Sequence, residues 1–422
     1  MRKSLVILFA IFVCALGSIQ TAAQTELSVP PQATEPASSS VSAPNAGTSA
    51  DIFGQIRDAR RLLSSRPSSL ISGDVVTLAA LNPETSEISL FSVPKADFLS
   101  KDSELSAALS EGGSVRMRVL RANGVNTAVN VTDVATGRTL FPLMVQFPIV
   151  KGGVVAEIAY YTSAHPALLS PVVTSAGQTY VRTMLDEAAQ RLAHDGVKIP
   201  ADIVDIAEHL CIVEHTDHKR FMNEDRTLLF PEILSLYALN EGNTFRYSVS
   251  SAGAGGMIQM IPRTYAAIRE QHPNVTLQAD FVSGMRDHAN ALKAMLLYMN
   301  DTWTNLNQSL EVQEALRSGI ATKPQLLAAG YNSNPMRLPL YLKNGGAEWR
   351  TLIPSETQMY LAIYSSVDST LQLGSNSSGA AEDSDGAEVT PAVAAPSRSG
   401  GVLFWLARTL PLSGSFFARL LR

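Results

Sequence analysis

The 422-residue sequence has few cysteines, little net charge and no long apolar run. Its two cysteines are Cys14, in an apolar stretch near the N-terminus, and Cys211. If the N-terminal stretch is removed on export, Cys211 has no intramolecular partner, which excludes a scaffold stapled by disulfides. A net charge of −5 is mild for this length and argues against nucleic acid as a partner. The apolar run from Leu5 to Leu16 is too short for a typical membrane-spanning helix.

Both ends of the chain differ in composition from its middle. Residues 1–23 predict a signal peptide, because Arg2 and Lys3 precede the apolar run and small residues precede Gln24. Residues 24–50 predict a disordered tether and residues 371–400 a low-complexity linker. Residues 401–422 predict an amphipathic basic tail that contacts a membrane surface or a partner, with a self-docked or disordered tail as the alternative. We therefore expect an exported protein of the periplasm or cell envelope.

Residues 51–168 predict a β-rich accessory domain. Alternation of Val115, Met117 and Val119 with arginines, then Asn123-Gly124 and a second strand from Val125 to Val131, is typical of a hairpin. Further strand candidates are Val75 to Ala79, Ile88 to Val93, Leu143 to Phe147 and Val154 to Tyr161. No side-chain pattern in this domain indicates chemistry, and structural support and ligand binding remain two open roles.

Residues 169–370 predict an all-helical domain, so the expected fold class is α+β. Helices are expected over Tyr180 to His194 and over Ile203 to Phe221, where apolar residues recur at helical spacing. The second helix would contain His209, Glu214, His215 and His218. Because only Glu214, His218 and His215 could share one of its faces, we favour a hydrogen-bonded polar face and predict no metal and no cofactor.

A glutamate stands at a predicted helix end. Phe230, Leu234, Tyr237 and Glu241 recur at intervals of three or four, and Gly242 favours a helix stop. We therefore expect Glu241 to be partly buried beside the negative end of the helix dipole, where a carboxyl tends to keep its proton. That environment suits a general acid. An ordinary exposed glutamate is the alternative.

Four motifs follow one another in this half of the chain. The first is Glu241 with Ser250 nine residues later, and the second runs from Gly256 to Pro262 and contains Gln259. The third is Gly330-Tyr331-Asn332-Ser333-Asn334-Pro335, and the fourth is Glu356-Thr357-Gln358-Met359-Tyr360. In order and spacing they resemble the motifs of the soluble lytic transglycosylase family, lysozyme-like enzymes that cut peptidoglycan.

The resemblance implies a lysozyme-like fold for residues 169–370 and peptidoglycan glycan strands as the partner. It implies cleavage between N-acetylmuramic acid and N-acetylglucosamine, with Glu241 acting first as acid and then as base, so that a 1,6-anhydro ring closes. The resemblance also assigns substrate-binding roles to five residues: Ser250, Gln259, Tyr331, Asn332 and Glu356, the last as a support for the groove.

The departures from the family pattern lie close to Glu241. Gly242 stands where the family has Ser, and Thr244 and Arg246 stand where it has an aromatic residue and Pro or Ala, with Phe245 displaced by one. A glycine cannot hydrogen-bond the carboxyl. Two alternatives therefore remain open, a hydrolytic muramidase with an unlocated second carboxylate and a peptidoglycan-binding envelope protein without catalysis.

Overall fold

A computed structural model describes residues 52–371 and residue 373, in which a sheet precedes a helical region. The strands are β1 Val75–Leu81, β2 Ile88–Pro94, β3 Glu104–Ala108, β4 Ser114–Arg121, β5 Ala128–Asp133, β6 Thr139–Lys151 and β7 Val154–Tyr161. The helices are α1 Ile52–Ser64, α2 Lys95–Phe98, α3 Pro171–His194, α4 Ala201–Val213, α5 His218–Asn223, α6 Arg226–Asn240, α7 Pro262–Gln271, α8 Phe281–Arg286, α9 His288–Leu306, α10 Leu310–Arg317, α11 Lys323–Asn332, α12 Leu338–Gly345, α13 Trp349–Leu352 and α14 Ser355–Thr370. The expected α+β class is confirmed.

The sheet is antiparallel and nearly closes on itself. Its strand order is β2-β1-β6-β5-β4-β3, and β7 also pairs with β6. A bridge between Phe91 of β2 and Leu109, just after β3, brings the two ends of this order together. Along β4, Val115, Met117 and Val119 are buried while the arginines between them are exposed, so the alternation in the sequence correctly predicted the inward face.

All six predicted strands are present, whereas β3 was not predicted. Its sequence, Glu-Leu-Ser-Ala-Ala, lacks the β-branched and aromatic residues that are typical of strands. The strand therefore forms because it pairs with β4, and not because of its own β-propensity. The link after Asn123 is a short 3-10 turn, Gly124–Asn126, and β5 begins only at Ala128.

The single helix expected from Ile203 to Phe221 is wrong. Helix α4 ends at Val213, and the side chain of Asp217 accepts a hydrogen bond from the backbone N–H of Arg220, which starts α5 as a separate helix. An Asp at this position competes for backbone donors that a continuous helix would need. Apolar residues continue at helical spacing across the break, so the spacing alone did not indicate where α4 ends.

Helix α6 is buried between the sheet and the other helices. Residues 233–240 are all buried. Leu234 and Tyr237 pack in the helical core, Leu236 packs in the core of the sheet, and Leu239 packs with α1 and β6. Burial of each such side chain contributes about 2 kcal/mol. The sheet therefore directly supports the helix that ends at Asn240, just before Glu241.

Helix α3 approaches α6 at Gly177. A Cβ added to Gly177 would lie 1.8 Å from the carbonyl oxygen of Leu234, so only glycine permits this backbone contact. Tyr180 follows one turn later on the same side of α3. This close approach brings Tyr180 to the end of α6.

Several features of the chain can be placed relative to the described residues. The predicted signal peptide, tether, low-complexity linker and basic tail lie outside them, apart from residues 371 and 373. Among the described helices, none has the length and apolar character needed to cross a membrane. Cys211 is fully buried in α4, as expected of a core residue, and burial raises the pKa of its thiol.

Candidate active site

The carboxyl of Glu241 is presented to solvent at the end of a buried helix. Helix α6 ends at Asn240, and Glu241 has φ 45° and ψ −125°. The expectation that Glu241 is partly buried is wrong, because its side chain is exposed. The apolar stripe was extended one residue past the helix, to a position where the backbone is no longer helical.

The conformation of Glu241 is one that glycine adopts elsewhere in this chain. At the end of α12, Gly346 has φ 49° and ψ −123°, and there too a 3-10 turn follows directly. The backbone N–H of each residue donates to the carbonyl four residues earlier, Tyr237 and Leu342 respectively. A side chain in this region costs about 1–3 kcal/mol. Glu241 therefore occupies a junction at which glycine would be the unstrained residue.

Asn240 fixes the position of this helix end against the sheet. Its Oδ1 accepts from the N–H of Thr162 at 2.8 Å, and its Nδ2 donates to the carbonyl of Thr162 at 2.8 Å. Both residues are buried, so these bonds satisfy polar groups that water cannot reach. The chain segment after β7 thus anchors the residue that precedes Glu241.

Tyr180 and His288 form a hydrogen-bonded pair next to Glu241. The Tyr180 hydroxyl lies 2.9 Å from Nδ1 of His288, and Nε2 of His288 lies 2.8 Å from the carbonyl oxygen of Thr244. Burial lowers the pKa of His288, which is consistent with a neutral ring that donates from Nε2 and accepts at Nδ1. Burial raises the pKa of Tyr180, and the negative charge of Glu241 raises it further.

The loop after Glu241 packs on the end of α4. The rings of Phe245 and His215 stack with centroids 3.4 Å apart, and Nε2 of His215 donates to the carbonyl of Met257 at 2.9 Å. Burial lowers the pKa of His215 to about 3, so this ring is neutral. His215 therefore joins the loop of the first motif to the second motif and is not poised as a metal ligand.

Two predicted substrate-binding residues lie in a small antiparallel arrangement. Bridges join Val249 to Gly255 and Gly255 to Met260. Ser250 begins the turn, where its Oγ accepts from the N–H of Ala254 at 3.0 Å. Gln259 has a left-handed backbone, and its Nε2 donates to the carbonyl of Gly256 at 2.8 Å and to the Ser248 hydroxyl at 3.2 Å.

The third and fourth motifs are joined to the second by hydrogen bonds. The Tyr331 hydroxyl donates to the carbonyl of Ile258 at 2.7 Å, and Oδ1 of Asn332 accepts from the Thr357 hydroxyl at 2.8 Å. Glu356 lies in the first turn of α14 and is exposed. The second, third and fourth motifs are therefore joined by direct hydrogen bonds, although they are far apart in sequence.

Glu214 is a second carboxyl beneath the third and fourth motifs. The Tyr360 hydroxyl donates to its Oε1 at 2.6 Å. Burial, with the nearby charge of Glu356 as a smaller contribution, raises the pKa of Glu214 to about 8 against the opposing effect of the Tyr360 hydrogen bond. Glu214 therefore keeps its proton at neutral pH.

The histidines of α4 and the turn after it have protein partners. Nδ1 of His209 lies 2.8 Å from the carbonyl oxygen of Asp205, and its Nε2 lies 3.1 Å from a carboxylate oxygen of Asp368. Within residues 52–371, no group of three or more His, Cys, Asp or Glu side chains is arranged to hold a metal ion.

Glu157 of β7 clamps the loop that follows Glu241. It accepts from the Tyr247 hydroxyl at 2.7 Å and pairs with Arg286 at 3.1 Å and Arg246 at 3.7 Å. Burial alone would raise the pKa of Glu157, but the Tyr247 hydrogen bond and the two arginine charges lower it overall. The sheet therefore contacts the site on both sides of Glu241.

No family model, curated protein or solved structure matches this chain. The four motifs and their contacts are therefore the basis for assigning a function.

Four residues of this site were not recognised in the sequence: Tyr180, Asn240, Thr244 and His288. Asn240 and Thr244 flank Glu241 but fit no motif. Tyr180 and His288 are 108 residues apart, and no local spacing signals their contact. The close approach of α3 to α6 at Gly177 brings Tyr180 to this site.

Proposed function

We propose that this protein cleaves the glycan strands of peptidoglycan as a lytic transglycosylase, with Glu241 as its catalytic residue. The observation that carries the proposal is the backbone of Glu241, which holds an exposed carboxyl in a conformation that glycine adopts at the equivalent junction of α12. Strain of this kind persists where the surrounding structure imposes it, and it concentrates at functional sites.

The reaction needs one carboxyl that first gives and then takes a proton. Glu241 protonates the glycosidic oxygen as the bond from that oxygen to the muramyl C1 breaks. The resulting carboxylate takes the proton of the muramyl C6 hydroxyl, whose oxygen forms the new bond to C1. The products are a 1,6-anhydro muramyl end and a free hydroxyl on the N-acetylglucosamine. No water is consumed, because the proton that Glu241 gives to the leaving oxygen is replaced by the proton that it takes from the C6 hydroxyl.

The contacts among the four motifs support this proposal and a lysozyme-like arrangement of the helices. His215 contacts the loop of the first motif and the backbone of the second, Tyr331 contacts the second from the third, and Asn332 contacts the fourth. In this proposal four residues border the bound glycan: Ser250, Gln259, Tyr331 and Asn332. Glu356 supports the groove that holds the glycan. Export to the cell envelope would place the protein with this substrate.

Glu214 does not provide the second, ionised carboxylate that hydrolysis would use. A muramidase normally uses a second, ionised carboxylate to activate water or to stabilise the intermediate. Glu214 is hydrogen-bonded to Tyr360 and is protonated at neutral pH, which makes it unsuited to that role.

The products and one variant test the proposal. Purified sacculi are digested with the parent protein and with Glu241→Gln, and the soluble fragments are weighed by mass spectrometry. We expect the parent to release fragments that end in 1,6-anhydro-N-acetylmuramic acid, lighter by one water than hydrolytic products. We expect Glu241→Gln to be slower by at least about a hundredfold. Hydrated reducing ends would indicate a muramidase, and equal activity of the variant would remove Glu241 from the mechanism.

A further inference from the structure

A pocket lies between helices α7 and α9 and the end of the third motif. Its volume is about 140 Å³. The residues that line it include three polar ones and three apolar ones: Gln271, Asp301 and Asn305, and Leu306, Pro335 and Met336. A polar wall facing an apolar one is typical of a site that orients a small ligand group.

The polar wall has groups free to bind a ligand. One carboxylate oxygen of Asp301, Oδ2, lies 2.7 Å from Nε2 of His272. Its other oxygen, and the exposed side-chain amides of Gln271 and Asn305, have no hydrogen-bond partner among the described residues. The wall therefore offers a hydrogen-bond acceptor and, in the two amides, hydrogen-bond donors.

The size of the pocket limits what it can hold. A cavity of about 150 Å³ accommodates a molecule of benzene, which has fewer non-hydrogen atoms than an N-acetylated sugar. The pocket therefore takes one substituent of a larger molecule. Met336 is exposed and Leu306 is buried, so the apolar wall runs from the solvent side inward.

The second and third motifs both lead to this pocket. Helix α7 begins at Pro262, the last residue of the second motif, and ends at Gln271. Tyr298 of α9 also lines the pocket, and its hydroxyl donates to the carbonyl of Gly330 at 3.2 Å. The Tyr298 ring meets that of Tyr331 edge-on, with centroids 5.7 Å apart. A glycan that these motifs border would therefore continue toward the pocket.

Helix α9 sets the distance between the pocket and the catalytic residue. At its first residue, Nε2 of His288 contacts the carbonyl of Thr244, in the loop just after Glu241. Asp301 lies thirteen residues further along α9, or about 20 Å along its axis at about 1.5 Å per residue. A group bound in the pocket therefore belongs to a sugar several units away from the bond that is cleaved.

We infer that this pocket is a subsite for the acetamido group of such a sugar. The inference rests on the proposed function. The methyl group packs on Leu306 and Met336, the N–H donates to the free oxygen of Asp301, and the carbonyl oxygen accepts from the amide of Gln271 or Asn305. An ammonium group would leave both amides without an acceptor, so the mixed wall favours a neutral group that both donates and accepts.

Binding is tested without cleavage, by NMR of the full chain labelled with methyl-13C methionine. The Met336 signal is identified by its loss in Met336→Leu. We expect it to shift on titration with N-acetylglucosamine and to stay in place with glucose, which has a hydroxyl instead of the acetamido group. No shift, an equal shift with glucose, or a shift with glucosamine alone would overturn the inference.

The role in catalysis is tested with the double variant Gln271→Glu and Asn305→Asp, which keeps the size of both side chains and removes their amide donors. On long, peptide-free glycan strands we expect KM to rise about tenfold with kcat unchanged, since the lost hydrogen bond contributes to binding only. A peptide-free tetrasaccharide cleaved at its central bond extends only two sugars toward the pocket, so we expect no change with that substrate.

The matched control is the double variant Asn274→Asp and Gln308→Glu. Both residues are exposed, lie three positions after the two pocket amides and do not line the pocket. The control makes the same change of charge nearby, and we expect it to leave KM on long strands unchanged. Thermal unfolding of every variant verifies that the fold is retained.

The outcomes separate the inference from the proposed function. An unchanged KM on long strands, an equal rise with the tetrasaccharide, or an equal rise in the control would overturn the subsite while Glu241-dependent cleavage stands. If the parent released no 1,6-anhydro ends, the proposed function would fail, and the Met336 titration would still decide whether the pocket binds an acetamido group.

Discussion

Glu241 and Gly346 have the same backbone conformation, φ 45° and ψ −125° against φ 49° and ψ −123°, each at the residue that follows a helix and begins a 3-10 turn. The chain uses glycine at one junction and glutamate at the other. The glutamate therefore stands against a local conformational preference, and its side chain is exposed to solvent.

This pair predicts a gain of stability from loss of the carboxyl. In Glu241→Gly, relief of about 1–3 kcal/mol of strain outweighs about 0.5–1 kcal/mol of added chain entropy, so the free energy of unfolding should rise by about 1 kcal/mol. Peptidoglycan cleavage should be lost. Urea unfolding measures the first effect and sacculus digestion the second.

Gly346→Ala is the matched control for that prediction. No atom lies within 4 Å of a Cβ built there, so only backbone strain opposes the substitution. We expect the free energy of unfolding to fall by about 1–2 kcal/mol with cleavage unchanged. If Glu241→Gly lowered the free energy of unfolding while Gly346→Ala left it unchanged, position 241 would not be strained.

Gly242→Ser should be tolerated. Gly242 does not have a positive φ, and an added Cβ meets only the Tyr180 hydroxyl, at 4.0 Å. We expect activity equal to or above that of the parent and a change in unfolding free energy within about 0.5 kcal/mol. The contrasting variant is Gly256→Ser, whose Cβ would lie 2.2 Å from the Met285 carbonyl at a φ of +69° and which should not fold stably. A severe loss of activity in a well-folded Gly242→Ser would contradict the site geometry.

Gly177→Ala should destabilise the protein by at least about 3 kcal/mol, because the new methyl group overlaps the Leu234 carbonyl and forces α3 away from α6. Ser175→Ala, on the exposed side of α3, should change the free energy of unfolding by less than about 0.5 kcal/mol. Thermal or urea unfolding of both variants provides the comparison. Similar stability of the two would mean that the helices do not meet at Gly177.

Glu214 should make stability depend on pH. Its pKa is about 8 in the folded protein and 4.5 ordinarily, so between these values the unfolded chain releases a proton that the folded protein keeps. The contribution of Glu214 to the free energy of unfolding therefore decreases as pH rises from about 4.5 to about 8. Glu214→Gln should match the parent near pH 5 and exceed it in melting temperature at pH 8. For Glu314→Gln, on the exposed side of α10, no such divergence is expected.

Local sequence patterns determined much of the secondary structure. The alternation in β4 and the Asn123-Gly124 turn predicted antiparallel strands, because side chains on a pleated strand point alternately to core and solvent. Gly242 and the spacing from Phe230 to Tyr237 predicted a helix that ends at Glu241, and α6 ends one residue earlier, at Asn240. The order of the motifs also indicated candidate site residues.

Only the tertiary structure decided how these parts make a site. Glu241 was expected to be partly buried because it continues the periodic spacing of apolar residues in α6. Periodicity describes side chains within a helix only. Glu241 is the first residue after the helix, and the packed surroundings set its φ. The same limit applies to Tyr180 of α3 and His288 of α9, which meet because these two helices pack on each other. Contacts between residues 108 positions apart depend on how helices pack, and helix packing leaves no periodic signal in either segment.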